Sequence, residues 1–185
     1  MRSVIIPNGD FRYGQRLCDG SRVVFRPLRK SDTNRLYHMF STLSKRSRRF
    51  LGSGFSRKDI ESWTTFNNDA KILPIVVVPR TEPTRIIGYA TLRFSSTISR
   101  MHVGQLGIIV NDQFQGRGLG TSLVSYVLAI ARKRGLKKIC LRVDTRNTRA
   151  IRLFLNCRFE IEATLARETL RGKRYGNEYL MSLFL

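Results

Sequence analysis

The chain has 185 residues, 42% of them hydrophobic, enough for one domain with a sizeable core and too many for a disordered segment. Lys and Arg total 34 against 13 acidic residues, a formal charge of +21 that points to anionic ligands or partners, nucleic acid among them. No apolar run approaches the ~20 residues of a membrane helix, Val4-Ile5-Ile6 before Pro7 is too short for a signal segment, and Cys18, Cys140 and Cys157 fall at no metal spacing. These features predict a cytoplasmic protein with reduced thiols, no metal and no membrane contact.

Residues 1–18 are weakly patterned and read as an irregular lead-in to a single domain over 19–185. Arg22-Val23-Val24-Phe25-Arg26 reads as an edge strand stopped by Pro27. Ser31 is placed to cap a helix to about Leu43, with Leu36, Met39, Phe40 and Leu43 on one face. The basic run Ser44–Phe50, ending at Gly52-Ser53-Gly54, reads as a loop. Ser56-Arg57-Lys58-Asp59 has the capping-box spacing of a second helix carrying Ile60, Trp63 and Phe66, with Trp63 in the core. Strands follow at Ile72–Val78, Arg85–Phe94 and Met101–Val110.

The helix from Gly118 to Arg134 carries Leu119, Leu123, Val127 and Ile130 on one stripe, packed on the sheet, and Gly135 stops it. Lys138–Val143 is a further strand. Asn147 caps a helix Thr148–Cys157 with Ala150, Ile151, Phe154 and Leu155 facing inward. Two last strands, about Glu160–Thr169 and Glu178–Leu185, flank a turn at Arg171-Gly172-Lys173.

The organising stretch is Gln115-Gly116-Arg117-Gly118-Leu119-Gly120-Thr121, between the apolar Leu106–Val110 and the long helix. A strand, a glycine-rich turn and a helix start present backbone N–H groups and the positive end of a helix dipole, which suit a phosphate or pyrophosphate. The spacing is neither GxGxxG nor a P-loop.

With Gln115, Gly118 and Gly120 after a strand, and Asn147, Ala150, Phe154 and Phe159 downstream, the chain resembles the GNAT superfamily of acetyl-CoA-dependent N-acetyltransferases. Asp19-Gly20, Arg26-Pro27-Leu28-Arg29-Lys30-Ser31-Asp32 and Leu43-Ser44 to Ser47-Arg48 resemble the start of Pat-type protein lysine acetyltransferase domains. The resemblance implies an α/β (α+β) fold, a mixed sheet of six or seven strands with about four helices and splayed central strands. Acetyl-CoA would be the co-substrate, lying in the splay. Ile108, Ile109 and Val110 would offer main-chain bonds to its pantetheine and acetyl groups. Gln115, Gly116, Arg117, Gly118, Leu119, Gly120 and Thr121 would hold the pyrophosphate, Asn147 the pantetheine, and Phe154 would line the thioester end. The amine would attack the thioester directly, with the oxyanion met by backbone N–H near Val110.

The departures concern proton handling. Gln105 and Arg142 stand where related enzymes carry a glutamate, Phe154 where they carry a tyrosine acid, and Arg158 where they carry a glycine. Gln105 orients water but accepts no proton, so Gln105 and Phe154 occupy the catalytic positions with altered residues. Asp144, Tyr175, Glu178, His38 and His102 are the ionisable substitutes, with His102 and Gln105 on opposite strand faces. Cys140 and Cys157 have nothing nearby that marks them as nucleophiles.

In this fold the acceptor groove would lie over Lys45–Phe55 and Arg167–Tyr179, where Arg46, Arg48, Arg49, Arg57, Arg167, Arg171 and Arg174 concentrate. Like charge penalises polyamines and lysine-rich peptides, so the acceptor expected is an amine with nearby negative charge; the Pat-like N-terminal segment alone implies a protein lysine or N-terminal amine ahead of a small molecule. The alternatives are an acyl-CoA-binding pseudoenzyme or sensor without turnover and a basic nucleic-acid-associated protein; for the favoured reading nucleic acid is an accessory contact at most, and the chain is expected as a monomer or homodimer.

Overall fold

The computed structural model describes residues 13–51, 55–65 and 71–185. Eight strands, β1 (Tyr13–Arg16), β2 (Arg22–Pro27), β3 (Ile72–Pro79), β4 (Gly88–Phe94), β5 (Val103–Val110), β6 (Lys138–Asp144), β7 (Glu160–Arg171) and β8 (Arg174–Phe184), form one sheet. Their order is β1-β2-β3-β4-β5-β6-β8-β7. Neighbours are antiparallel except β5 and β6, which run parallel and are joined by the crossover that contains α4 (Leu119–Lys133). The other helices are α1 (Thr33–Ser41), α2 (Lys45–Arg48), α3 (Arg57–Thr65) and α5 (Thr148–Asn156).

The sheet is covered on both faces, and β3 shows why. Its six residues Leu73–Val78 are all buried, as a strand between two helical layers requires. Leu73, Ile75 and Val77 enter the core under α4 and α5, where Leu119, Leu123, Val127 and Phe154 pack. Val76 and Val78 enter the opposite core with Leu36, Met39, Phe40 and Ile60. Trp63 packs against that second core, stacked on Tyr89 at 6.1 Å.

The departures from sequence expectation have local causes. Tyr13–Arg16, within the stretch read as irregular, pairs with β2 and makes the eighth strand; the Tyr13 ring stacks on Tyr126 at 5.9 Å and Gln15 donates to Ser122 Oγ at 2.9 Å. The fifth helix is α2, a single turn in the basic run read as a loop, capped by Ser44 Oγ accepting from Ser47 N–H. Ser31 lies in a 3-10 turn rather than capping α1, whose N-cap position is held by Asp32. Leu155 is 46% exposed although it was expected to face inward, because the buried stripe of α5 runs through Ala150, Ile151 and Phe154. Strand β4 begins at Gly88, not Arg85, and Phe66 lies outside the described residues. The final hairpin is longer than expected: Arg171 pairs with Arg174 across Gly172-Lys173, with Gly172 at φ 60°.

One buried ion pair ties β2 to α1. Asp32 is fully buried and Arg26 is 7% exposed. The guanidinium donates to both carboxylate oxygens at 2.6 and 2.8 Å, and Arg29 N–H adds a third bond at 2.9 Å. Burial opposes the charge on Asp32, but the hydrogen bonds from Arg26 and Arg29 and the charges of Arg26 and Arg35 outweigh it and hold its pKa below the ordinary 3.8. This stabilisation is therefore complete above pH 3.8 and is lost as pH falls further. Replacing Asp32 with Ala leaves a buried guanidinium uncompensated and is expected to cost about 3–5 kcal/mol in urea unfolding at neutral pH; a loss under about 1 kcal/mol would contradict this role.

Candidate functional site

The parallel contact between β5 and β6 is short. Val103, Gly104 and Gln105 pair with Lys138, Ile139 and Cys140, and the register goes no further. Beyond that point Leu106–Val110 continue to pair with β4, while Leu141–Asp144 pair with β8. The two facing edges diverge into a cleft of about 350 Å³, and Gln105, Ile108, Asn147 and Phe154 line it, together with Asp144 and Glu178. Ile108 and Val110 pack toward the α4–α5 core, and Ile109 toward the opposite one. A second, larger cavity of about 550 Å³ lies between α1 and the end of β5 and contains none of the predicted site residues except His38.

At the open end of the fork sits the glycine turn. Gly116 and Gly118 have φ of +80° and +81°, a left-handed geometry in which a side chain is strained. Gly118 immediately precedes α4. Gln115 braces the turn to the strand: its Nε2 donates to the Val110 carbonyl at 2.9 Å, and its Oε1 accepts from Arg149 in α5. A Cβ on Gly120 would meet Leu153 Cδ2 at 3.0 Å, so glycine lets α4 and α5 approach closely there. Leu119 is 1% exposed, so its side chain belongs to the core and only its backbone faces the turn; Thr121 is exposed.

Two outer segments support the same turn. From the β1–β2 connection, Cys18 N–H donates to Arg117 O at 3.3 Å, and Asp19 pairs with the Arg117 guanidinium at 3.1 Å. Arg117 also lies over the Phe114 ring at 5.1 Å. From α2, Ser44 and Ser47 hydroxyls and Ser44 N–H donate to the Asp112 carboxylate at 3.0, 2.5 and 2.8 Å. Burial opposes the Asp112 charge, but these donors hold its pKa below the ordinary value. Arg149 and the Asp112–serine bridge were not foreseen; Arg149 stands two residues after the Asn147 cap, the one sequence hint that it would point at the turn.

In the cleft, Asn147 caps α5 through Ala150 N–H at 3.3 Å. Phe154 is 4% exposed and meets Phe159 edge-on at 5.7 Å. Arg158, which takes the place of the related enzymes' glycine, has φ of 68° and so holds a left-handed backbone with an arginine side chain. Gln105 is solvent-exposed and faces Arg93 on β4 and Cys140 on β6. Burial raises the thiol pKa of Cys140 and Cys157, which keeps both poor nucleophiles.

The five ionisable substitutes separate. His38 and His102 are exposed and outside the cleft, and Tyr175 is 60% exposed with the Arg167 guanidinium over its ring at 5.7 Å. Asp144 lies in the cleft but is clasped by Arg146, whose Nε and Nη2 donate at 2.9 and 2.7 Å and whose N–H adds 2.9 Å. Those bonds outweigh burial and lower its pKa. Glu178 lies in the cleft without such a clasp.

A mixed sheet that forks at its one parallel pair, with a glycine turn and a buried helix at the fork, defines an α/β acyltransferase. Residues 22–160 match the sequence profile of the acetyltransferase (GNAT) domain, and the chain belongs to the GNAT acetyltransferase family, whose members use acetyl-CoA. Among curated proteins it is similar to the L-amino acid N-acetyltransferase AaaT of Escherichia coli (strain K12), with 28% identity over 98 residues. That match covers 52% of this chain and 60% of the relative. Among solved structures, the GNAT domain of S. lividans PAT superposes with a TM-score of 0.79 at 18% identity, covering 98% of this chain and 100% of that one. Spermidine N-acetyltransferase from Vibrio cholerae, in complex with CoA and spermine, superposes with a TM-score of 0.75 at 21% identity, covering 88% and 95%. At these identities the two structures share the fold alone, which does not bear out the Pat-type likeness of the N-terminal stretch. Among the described residues no helix is long and apolar enough to cross a membrane.

Substituting Gly118 tests how the turn is built. An added Cβ would lie 2.8 Å from Cys18 Sγ at a φ of +81°. Gly118→Ala is expected to lower stability by about 1–3 kcal/mol in denaturant unfolding. Adding Cys18→Ala is expected to recover the steric part and leave the backbone part. A neutral Gly118→Ala variant would contradict the described geometry.

Proposed function

We propose that this protein transfers the acetyl group of acetyl-CoA to an amine that carries nearby negative charge. The observation that carries this reading is the fork: β5 and β6 share three residue pairs and then present facing backbone edges beside a left-handed glycine turn. Acetyl-CoA, when bound, supplies the activated thioester carbonyl. Backbone N–H groups of Gly116 to Thr121 hold the pyrophosphate at the start of α4, with Arg117 and Arg149 adding positive charge beside it. The open edge of Ile108, Ile109 and Val110 pairs with the pantetheine arm, and Asn147 bonds it from the other side of the cleft. Gln115 fixes the Val110 carbonyl, so the end of β5 keeps its place while the backbone N–H of Val110 itself meets the developing oxyanion. Phe154 excludes water from the thioester end, and Gln105 orients the attacking group.

The acceptor's character follows from charge. Arg93 and Arg142 line the cleft, and Phe50 reaches it from the α2 side with Arg49 over its ring at 5.1 Å. Arg171 Nη1 is buried with no hydrogen-bond partner among the described residues, a donor that a carboxylate or phosphate on the acceptor satisfies. Asp144 and Glu178 balance Arg93 and Arg142 within the cleft, so the like charge that a spermidine-like acceptor meets lies on the surrounding surface, at the exposed Arg49, Arg167 and Arg174. An amino acid, the acceptor class in the name of the AaaT relative, and an acidic peptide both place a carboxylate beside the amine. Such an enzyme works in the cytoplasm, where acetyl-CoA is available.

The test is a coenzyme-release assay at low salt over amino acids, acidic and basic peptides and polyamines, paired with calorimetry of acetyl-CoA. Acetyl-CoA is expected to bind, and kcat/KM is expected to favour acidic acceptors by at least about tenfold, a preference that shrinks as salt rises. Equal or better turnover of polyamines would overturn the acceptor assignment. Tight acetyl-CoA binding without turnover of any amine would favour the sensor reading, and absence of binding would overturn both.

A further inference from the structure

The cleft lacks a base at each position where related enzymes keep one, yet an amine arriving as ammonium must lose a proton before it attacks. Resting on the acetyl-transfer reading above, we propose that Glu178, on the last strand of the sheet, is the catalytic base that takes this proton. The assignment begins with placement. Glu178 sits opposite Asp144 in the β6–β8 register and lines the same cleft as Gln105, Asn147 and Phe154. It thus faces the fork from the β8 side, across from the β5 edge.

The backbone around it is shaped to leave room. The β7–β8 ladder pairs Leu165 with Glu178 and next pairs Thr169 with Gly176, so residues 166–168 bulge out of register beside Glu178. Arg167 stands in that bulge at φ 54°, its N–H bonded to Asn177 Oδ1 at 2.9 Å. On the other side Thr145 N–H donates to Asn177 O at 3.0 Å. Residue 177 is therefore pinned from both neighbours, which fixes where the adjacent Glu178 side chain emerges. Bulges of this kind commonly re-aim a side chain next to an active site.

The charged groups around Glu178 divide the labour. Arg142 is taken by Glu168, and Asp144 is taken by Arg146. Arg171 and Arg93 remain as nearby cations, the latter on β4 at the far side of the cleft. The Glu178 carboxylate has neither a hydrogen bond nor an ion pair among the described residues, and the residue is half-buried. It is the one cleft carboxylate whose lone pairs are uncommitted. Burial raises its pKa; Arg142 pulls it down, Glu168 and Asp144 push it up, and Arg171 pulls it down, with the net effect upward. A raised carboxylate is a stronger base than an ordinary one, the character that proton abstraction calls for. Asp144, depressed by its arginine, has the opposite character.

The step balances. Glu178 takes one proton from the ammonium and passes it to bulk water. The neutral amine forms the C–N bond at the thioester carbonyl, and the tetrahedral adduct collapses with cleavage of C–S. A second proton leaves the nitrogen for the departing thiolate, so the products are the N-acetylated acceptor, the free thiol of coenzyme A and one released proton. Phe154 takes no part in that transfer, and a thiolate departs without a dedicated acid.

The experiment compares pH profiles of kcat/KM for the wild type, Glu178→Gln and Glu178→Asp with the best acceptor of the panel, alongside acetyl-CoA calorimetry and a 13C carboxyl titration of Glu178 in the coenzyme-saturated protein. The wild type is expected to gain activity as pH rises through a midpoint above the ordinary glutamate value of 4.5. Glu178→Gln is expected to lose that limb and about 10²–10⁴-fold in kcat/KM while binding acetyl-CoA normally, and Glu178→Asp to keep the limb at reduced rate. A Glu178→Gln enzyme that keeps the limb, or loses less than about tenfold, would overturn the assignment while leaving acetyl transfer intact. A carboxyl that ionises at or below the ordinary value would overturn it whatever the acceptor. Loss of acetyl-CoA binding or turnover in the wild type would instead strike the functional reading itself.

Discussion

Backbone N–H and C=O groups inside a protein must find partners, and a strand that parts from its neighbour leaves a row of them unmet. That constraint shapes this molecule. β5 and β6 are held apart from outside: β5 by seven register partners on β4, β6 by seven on β8, against three between themselves. Phe154 of α5 lines the opening and anchors that helix to the core on the same face. The sheet thereby keeps two polar edges in one cleft, where on the proposed reading an extended ligand would complete the ladder that the protein leaves open.

The glycine turn is as firmly supported as the strands. Gln115 ties it to β5 and α5, the β1–β2 connection reaches it through Cys18 and Asp19, and α2 reaches its approach through Asp112. Donors fixed before the ligand arrives cost little further ordering when it binds. The basic α2 turn, anchored to Asp112 by two serines, is also what brings Phe50 to the cleft, so the proposed acceptor and coenzyme surfaces would share one bracket.

Much of this was legible in the sequence because it is written in local signals. The Gln115–Thr121 spacing, the α4 stripe and the Asn147 cap each follow from neighbours in the chain, and each element stands where the periodicity put it. What escaped was long-range. Nothing near Tyr13 signals that it will stack on Tyr126, nor does Asp112 announce serines some 65 residues away in α2. Leu155 misled because an apolar residue beside a buried stripe satisfies the same periodicity as one within it. Among the ionisable candidates, sequence set only His102 behind the others, by its strand face. Only the fold separates a carboxylate clasped by its own arginine from one left open in the cleft, since that distinction depends on the β6–β8 register and a bulge in β7.

The most direct measurement of the central claim is amide hydrogen exchange with and without acetyl-CoA. The account predicts new protection concentrated at the backbone of Leu106–Val110 and of Gly116–Thr121, with the outer strands β1 and β7 unchanged. Protection that avoids the fork, or that gathers instead around the cavity between α1 and the end of β5, would contradict it.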